Sequence, residues 1–512
     1  MQDARGPSVL LEDVHATSTA TEPAGYLEDL HLDEVIASIT APYEPYALDA
    51  FFRQPLVEPD AVAYRQEVFR DLERSEVLGT VRTFAKAMSL VRELLRRSAR
   101  VDYRYEQERW FLDAAAAYAE AVGNLAGSLE QVQPRSRGLR AIGGFVAGLV
   151  DGPAFRALRG DIDQLRAQLS SVLYTIEVDG GRVVVARFAM EPDYGTEVAR
   201  AFDRFQQGEG REFRFSISPS QDMNHVEAAI LDRVALLYPA VFASLDTFRA
   251  VHEAFPDDTI LRFDREIHFY LAYLDHIGRI RGGNLSYCYP QIAGGDDPIE
   301  ARGVFDIALA PGLLRERMAI VPNDFELRAG ERLIVVSGPN QGGKTTFGRT
   351  FGQVHHLARI GVPVPGSAAR LPLVDAIYTH FEREERVEDL AGKLEEDLIR
   401  IREILQSATA ESVVVMNESF NSTTLADQLL INTGVVRALV ERGCIGVVVT
   451  FLDELASMDP SIVSMVSTVD PAEPANRTFR IVRRAADGLA YAMSIAEKHG
   501  LTRARVAKRI AR

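Results

Sequence analysis

Residues 333–345 read LIVVSGPNQGGKT, a short apolar run that passes into a glycine-rich loop and then into Lys344 and Thr345. The loop fits the pattern GxxxxGK followed by Ser or Thr, in which glycines let backbone N–H groups turn inward around phosphates at a helix N-terminus. In that pattern the lysine reaches the β- and γ-phosphates and the threonine hydroxyl faces Mg²⁺. The stretch therefore predicts a buried strand, a phosphate-binding loop and a helix from Lys344 to about residue 360, with ATP and Mg²⁺ as cofactors. The predicted nucleotide-binding residues are Gly338, Pro339, Asn340, Gln341, Gly342, Gly343, Lys344, Thr345 and Thr346.

A second apolar run ends in polar residues that suit the same chemistry. The residues Val413 to Met416 are followed by Asn417 and Glu418. In enzymes with such a phosphate loop, one carboxylate at a second strand end holds the water shell of magnesium, and the next polarises the attacking water. The position predicts Glu418 as the general base, acting with Lys344, and Asn417 as a ligand of Mg²⁺ through water. The other interpretation is a strand end that is merely polar.

The bulk composition is that of a globular protein without an export or membrane signal. The chain has 512 residues, 47% of them hydrophobic and 25% charged, and has no run of 18 or more apolar residues. The N-terminus lacks the basic-then-apolar pattern of a signal peptide, and Cys288 and Cys444 lack CxxC spacing. We therefore expect a cytoplasmic protein, in which nucleoid association is compatible with the sequence, and no membrane partner.

The charge is unevenly distributed along the chain. The formal net charge is −16, and residues 1–40 alone hold eight acidic residues and one basic residue. Net acidity argues weakly against general binding of polyanions, although a local basic face would still suffice for DNA. Residues 1–40 are therefore predicted to be an acidic N-terminal extension.

Two hydrophobic patterns divide the rest of the chain. In residues 41–310, apolar residues recur at steps of three and four, which predicts long helices. Residues 174–188, YTIEVDGGRVVVARF, and 211–217, REFRFSI, predict a short β insertion near residues 172–218. In residues 311–512, apolar strand candidates alternate with helical stretches. We therefore predict a multidomain chain with a helical domain followed by an α/β domain that contains a largely parallel sheet.

Several segments of the C-terminal part resemble the ATPase domain of the MutS family of DNA mismatch-repair proteins, and the resemblance covers about residues 320–505. They are VPNDFEL (321–327), SGPNQGGKTTFGRT (337–350), GVPVPGSAARLPLVDAIYTHF (361–381), ESFNSTTLAD (418–427) and GLAYAMSIAEKHGLT (488–502). Upstream, PLVEPDAVAYRQEVFRDL (55–72) is similar to the start of the family's helical core and lever region. The resemblance implies an ABC-type P-loop ATPase domain at 311–512, a core and lever domain at 41–310 with a short clamp-like insertion, a head-to-tail homodimer, and DNA as a partner.

The sequence also departs from the family pattern. Only about 40 residues precede the helical region, so mismatch recognition of the family's usual kind is not expected. Asn417 stands where an aspartate is usual, and Phe451 stands where the family has a histidine that senses the γ-phosphate. The signature loop reads DLAGKLEEDL (389–398) and lacks the usual serine, which leaves Gly392 and Lys393 to contact a partner's nucleotide. These departures predict weak hydrolysis.

Two functions follow from these features. The first is an ATPase that converts ATP and water to ADP and phosphate and couples turnover to DNA engagement in repair, recombination or DNA-structure surveillance. The second is a nucleotide-gated module with little hydrolysis that binds a protein partner instead of DNA, which Asn417, Phe451 and the acidic N-terminus favour. A P-loop ATPase of another lineage is a third interpretation, which the order of the strands would test.

Overall fold

The computed structural model describes residues 6–12, 23, 25–180, 182–188, 223–280, 285–295, 297–382, 392–470 and 476–486. By their internal contacts these residues form two compact units. The first is built mainly from residues 75–134 and 141–264, and the second from residues 7–74, 135–140 and the described part of 265–512. The two units alternate along the sequence, so they differ from a linear division at residues 40 and 310.

The first unit consists mainly of long amphipathic helices. The helix Ser75–Arg100 buries the apolar face that its periodicity predicts, including Val77, Val81 and Phe84, and it packs along the helix Arg104–Val132. Further helices are Pro153–Ser170, His225–Leu237 and Pro239–Val251, while Arg137–Val150 and Asp258–Ile280 contribute residues to both units.

A β-hairpin interrupts the helices of the first unit. The strands Tyr174–Asp179 and Arg182–Arg187 pair antiparallel, with Tyr174 opposite Arg187. Gly180 in the turn has a φ of +51°, a conformation that glycine adopts without steric cost. The hairpin thus forms where the alternating pattern predicts it, whereas the predicted strand at 211–217 lies outside the described residues.

A six-stranded sheet forms the core of the second unit. Its strand order is Ile377–Phe381, Val413–Asn417, Ile445–Val449, Leu333–Ser337, Ile462–Val469 and Arg477–Arg483. The first five strands are parallel and the last pairs antiparallel. Consecutive parallel strands need crossover connections, which the intervening helices supply. The chain therefore has a helical N-terminal region followed by a mixed α/β domain.

Both faces of this sheet are covered, which explains why its strands are apolar throughout. On one face, Val414, Met416 and Val448 pack in a cluster with residues of the helices Lys393–Ser407 and Leu425–Arg442. On the other face, the helix Lys344–Arg359 approaches Val415, Val447 and Val449 so closely that Gly348 has no room for a large side chain.

Smaller elements complete the second unit. A four-stranded sheet has the order Gln291–Ala293, Ala368–Pro372, Ile299–Val304 and Asn323–Leu327, and a two-stranded sheet pairs Tyr287–Cys288 with Val364–Pro365. The remaining helices are Tyr26–Asp29, Leu32–Thr40, Asp49–Arg53, Pro59–Leu72 and Ala310–Arg315, with 3₁₀ turns at Ala41–Tyr46 and Asp453–Ser457.

Part of the predicted acidic extension is folded into the second unit. Residues 25–40 contain two helices whose apolar residues Leu32, Val35, Ile36 and Ile39 are buried. Leu30 is also buried and lies against Gly352, where an added Cβ would come within 2.7 Å of the leucine side chain. The acidic residues of this segment therefore lie on helices whose apolar residues are buried in the second unit. The prediction of an N-terminal extension is thus corrected for residues 25–40.

Membrane-span criteria give a mixed result for the described helices. No single helix is long and apolar enough to cross a membrane. Two strongly bent helix pairs meet the length and composition criteria together: Arg137–Val150 with Pro153–Ser170, and His225–Leu237 with Pro239–Val251.

Gly446 allows two inner strands of the large sheet to pair closely. It lies between Val414 on one neighbouring strand and Leu333 on the other. A Cβ on Gly446 would lie 2.3 Å from the carbonyl oxygen of Val414, a backbone atom that cannot rotate away.

We expect Gly446→Ala to lower the free energy of unfolding by about 1–3 kcal/mol, the usual cost of overpacking a core. The matched control is Gly434→Ala in the exposed part of the helix Leu425–Arg442, where an added Cβ meets nothing within 4 Å. That control is expected to stabilise the protein by about 0.5–1 kcal/mol, because alanine loses less backbone entropy in a helix. Urea denaturation measures both changes, and equal stability of the two variants would contradict the close approach.

Candidate nucleotide-binding site

A tight loop joins the strand Leu333–Ser337 to the helix Lys344–Arg359. Gly338 has a φ of +117° and Gly343, the N-cap of the helix, a φ of +87°, while Gln341 lies in the left-handed region at +58°. Residues other than glycine rarely adopt the φ values of Gly338 and Gly343, which accounts for glycine at these two positions. The loop thereby leads directly to the N-terminus of a helix, whose first backbone N–H groups lack partners within the helix.

Two residues that are distant in sequence, on the last two strands of the six-stranded sheet, hold the loop by hydrogen bonds. The Ser467 hydroxyl donates a hydrogen bond of 2.7 Å to the carbonyl of Gly342, and Arg477 Nε donates one of 3.1 Å to the carbonyl of Asn340. A Cβ on Gly342 would lie 2.2 Å from Ser467 Oγ, so this loop position also needs glycine. Sequence reasoning missed both partners, because neither belongs to a local motif.

Lys344 turns back onto the loop that precedes it. Its Nζ donates hydrogen bonds of 3.0 Å and 3.1 Å to the carbonyls of Gly338 and Pro339, and it lies 4.2 Å from the ring centroid of Phe451. Burial lowers the pKa of Lys344 to about 8, although the charge of Glu418 opposes this shift. The ammonium is therefore held by neutral groups, which bind it less strongly than phosphate oxygens would.

Glu418 directly follows the strand Val413–Asn417 in an uncommon backbone conformation. Its φ is +50°, and its N–H donates a 2.9 Å hydrogen bond to the carbonyl of Val449 at the end of the neighbouring strand. Burial raises the pKa of the carboxyl group, the positive charge of Lys344 lowers it and Glu382 raises it further, with a net increase. A carboxylate with a raised pKa is a better proton acceptor than an ordinary surface glutamate.

Asn417 carries a buried side-chain oxygen. Its side-chain Oδ1 has no hydrogen-bond partner among the described residues. Unpaired buried polar atoms are costly, so such an atom commonly marks a position where water or an ion binds. Asn417 ends its strand immediately before Glu418, as the sequence predicts.

The loop and Glu418 border a cavity of about 400 Å³. One part of its wall is polar and contains Lys344, Thr345 and Glu418, and another part is apolar. The apolar wall comes mainly from the helix Ala310–Arg315 and the segment 318–321. This combination of an apolar wall and a few convergent polar groups is typical of small-molecule sites.

The predicted site residues divide into two groups in the structure. Those that line the cavity are Gln341, Gly342, Gly343, Lys344, Thr345, Thr346 and Glu418. Gly338, Pro339, Asn340 and Asn417 are not among its lining residues, although the carbonyls of the first three accept the loop hydrogen bonds described above.

Asn323 and Phe479 also line the cavity, and sequence reasoning did not assign either to the site. The Asn323 side chain donates a 3.0 Å hydrogen bond to the carbonyl of Phe479 and accepts a 2.7 Å bond from the N–H of Ile481. Asn323 lies in the VPND segment, which was the one available signal. Of the predicted signature loop, residues 389–391 lie outside the described residues.

The fold and these groups define an α/β domain in which a lysine-bearing glycine loop faces a carboxylate at a strand end. Residues 334–510 match the family model of MutS domain V. This C-terminal part of the chain is therefore similar to domain V of the MutS family.

Curated relatives match the same part of the chain. A protein named Endonuclease MutS2 from Gemmatimonas aurantiaca is 32% identical over 192 residues, which is 37% of this chain and 23% of that relative. A DNA mismatch repair protein MutS from Thermus caldophilus is 33% identical over 193 residues, with the same shares of the two chains. Another from Thermotoga maritima is 27% identical over 242 residues, covering 46% of this chain and 30% of the relative. The chain thus matches less than a third of the length of these relatives.

Proposed function

We propose that the cavity beside the glycine loop binds ATP and that the protein hydrolyses it. The observation that carries this proposal is the convergence of Lys344, Thr345 and Glu418 on one cavity at a helix N-terminus. The polar part of the cavity suits phosphates, because unpaired N–H groups and a lysine favour negative charge there. The apolar part suits the uncharged nucleobase. The domain would then be a P-loop ATPase of the ABC type.

The residues present also fit a magnesium ion delivered with the nucleotide. The unpaired Oδ1 of Asn417 can accept a hydrogen bond from a metal-bound water, and the Thr345 hydroxyl is available at the start of the helix. The described residues contain no group of three or more His, Cys, Asp or Glu that could hold a metal by themselves. This suits Mg²⁺, which usually takes few protein ligands and completes its shell with water and substrate phosphates. When bound, Mg²⁺ neutralises phosphate charge.

In the proposed reaction, water attacks the γ-phosphorus and the bond from that phosphorus to the bridging oxygen breaks, which gives ADP and phosphate. Glu418 accepts the proton that the water loses. Lys344 exchanges the carbonyls of Gly338 and Pro339 for the β- and γ-phosphate oxygens, where its charge stabilises the transition state.

We propose further that ATP turnover is coupled to DNA. Two of the relatives described above are named DNA mismatch repair proteins, and the matched domain is the one that carries the proposed ATP site. From the sequence resemblance and composition, we propose that the active form is a head-to-tail homodimer in the cytoplasm, where it acts in repair, recombination or surveillance of DNA structure.

A nucleotide-gated module that binds a protein partner is the second candidate. The contact of the Lys344 ammonium with the ring of Phe451 favours it, because the ring competes with phosphate oxygens for the ammonium. The uncharged side chain of Asn417 favours it as well, since an amide stabilises a metal less strongly than a carboxylate does.

ATP turnover by the wild-type protein, measured with linear duplex DNA, with branched DNA and without DNA, separates these candidates. We expect turnover that rises with DNA and loses this stimulation at high salt, because DNA contacts through phosphates weaken as salt increases. ATP binding without turnover, unaffected by DNA, would support the interaction module. Absence of ATP binding would overturn both.

A further inference from the structure

Three buried polar side chains form a cluster around Ser419, the residue that follows Glu418. They are His380 on the strand Ile377–Phe381, Asp397 on the helix Lys393–Ser407, and Ser419. His380 Nδ1 lies 2.9 Å from the Ser419 hydroxyl, and its Nε2 lies 3.3 Å from a carboxylate oxygen of Asp397. His380 is fully buried, and Asp397 and Ser419 are nearly so, which leaves no access for a substrate to this serine. The cluster therefore needs a function other than nucleophilic catalysis.

The backbone around Ser419 is strained on both sides. Glu418 has a φ of +50° and Phe420 a φ of +64°, and residues with side chains rarely adopt this left-handed conformation. Each such residue costs on the order of 1–2 kcal/mol, so the surroundings must hold it in place.

His380 makes side-chain contacts with both residues that follow Glu418. It bonds to the Ser419 hydroxyl, and its ring stacks on that of Phe420 with a centroid distance of 5.7 Å. The carbonyl of Ser419 is fixed separately by Gln428 Nε2 at 3.2 Å. The histidine is therefore a buried side-chain link between the strained segment and the edge strand, in addition to the exposed 3.3 Å hydrogen bond from Asn421 Nδ2 to Glu382.

Asp397 lies on the opposite side of the histidine ring, where its carboxylate is 3.3 Å from Nε2 without hydrogen-bond geometry. Its negative charge favours a proton on this nitrogen, and Nδ1 is then free to accept the hydrogen bond that the Ser419 hydroxyl donates. The same helix is tied to this strand by Arg400, whose NH1 donates a 3.2 Å hydrogen bond to the carbonyl of Phe381.

We infer that His380, oriented by Asp397, is a positioning residue that holds the Glu418 carboxylate in place for ATP hydrolysis; this inference rests on the proposed function. The glycine loop is held by Ser467 and Arg477 and has no described contact with His380. Loss of the histidine therefore lowers kcat and leaves nucleotide affinity unchanged. A misplacement of about 1 Å can reduce turnover by roughly 100-fold.

The test compares kcat with the dissociation constant of a fluorescent ATP analogue in four variants. His380→Leu and Ser419→Ala are expected to lower kcat by about 10- to 100-fold with the dissociation constant within about twofold of wild type. His380→Asn places an amide oxygen near the Nδ1 position, where it accepts from Ser419 and restores part of kcat. The control is Thr379→Val on the same strand, which removes a 2.7 Å hydrogen bond to Asp29 and leaves kcat unchanged.

The possible results separate this inference from the proposed function. If the wild type hydrolyses ATP and Ser419→Ala retains full kcat, the positioning role is overturned and the proposed function stands. If Thr379→Val lowers kcat as much as Ser419→Ala, the loss of kcat reflects a general destabilisation of the strand Ile377–Phe381, and the inference also fails. A wild type without ATP turnover overturns the proposed function and this inference together.

Discussion

Replacing Glu418 by glutamine is expected to lower kcat for ATP hydrolysis by about 100- to 10,000-fold, the usual contribution of a positioned general base. Glutamine has nearly the same shape but cannot accept the proton of the attacking water at neutral pH. Glu418 lies where the cavity meets the strand end, and burial raises the pKa of its carboxyl group, which makes it the strongest candidate base in the cavity wall. Affinity for ATP should stay within a few-fold of wild type, because the proposed phosphate contacts come from the loop.

The matched control is Glu411→Gln. Glu411 is exposed and precedes the same strand, Val413–Asn417, at its opposite end. The Glu411→Gln variant also replaces one carboxylate of the domain by an amide, but at a position that does not line the cavity, so its kcat should equal that of wild type. Retention of full turnover in Glu418→Gln would remove Glu418 as the base and return the question to the second candidate function.

Replacing Lys344 by alanine is expected to weaken ATP binding by about 100-fold, since hydrogen bonds to charged groups contribute about 1.5–3 kcal/mol each. The loop itself should persist, because Ser467 and Arg477 hold its carbonyls from the neighbouring strands. Isothermal titration calorimetry with ATP measures the change. A dissociation constant equal to that of wild type would place the nucleotide elsewhere.

The role of Lys344 in ATP binding can also be tested by the pH dependence of the dissociation constant. The pKa of Lys344 is about 8 in the free protein because the side chain is buried, and phosphate oxygens raise it again in the complex. The lysine therefore loses its proton as pH rises through 8, and the dissociation constant for ATP should increase by up to about tenfold per pH unit above that point. Lys344→Arg stays charged throughout and should bind with a flat profile between pH 7 and 9.5. A flat wild-type profile would contradict the prediction.

The sequence predicts those parts of this protein that depend on local patterns. The strands Leu333–Ser337, Val413–Asn417 and Ile445–Val449 are continuous apolar runs, which is typical of strands buried on both faces. The glycine spacing before Lys344 predicts both the loop and the start of its helix. These features lie within a few residues of each other, so no knowledge of the tertiary fold is needed to recognise them.

The rest of the site depends on residues brought together by the fold. Ser467 and Arg477 reach the loop only because their strands lie beside it in the sheet, and the polar residues themselves carry no motif. His380 likewise meets Ser419 because two parallel strands are neighbours. In contrast, the helix Leu32–Thr40 had a local signal in the spacing of Leu32, Ile36 and Ile39, which the acidic composition of the segment obscured.

The contacts of Tyr26, Leu30 and His31 with the helix Lys344–Arg359 also affect the order in which the protein can fold. The Tyr26 hydroxyl forms a 3.2 Å hydrogen bond with Nδ1 of His356, which lies 330 residues later in the chain. At about 5–20 residues per second, a ribosome needs on the order of 15–65 s to synthesise that interval. During synthesis Tyr26 and Leu30 stay without these partners, so chaperone binding to the nascent N-terminal segment should influence the yield of folded protein.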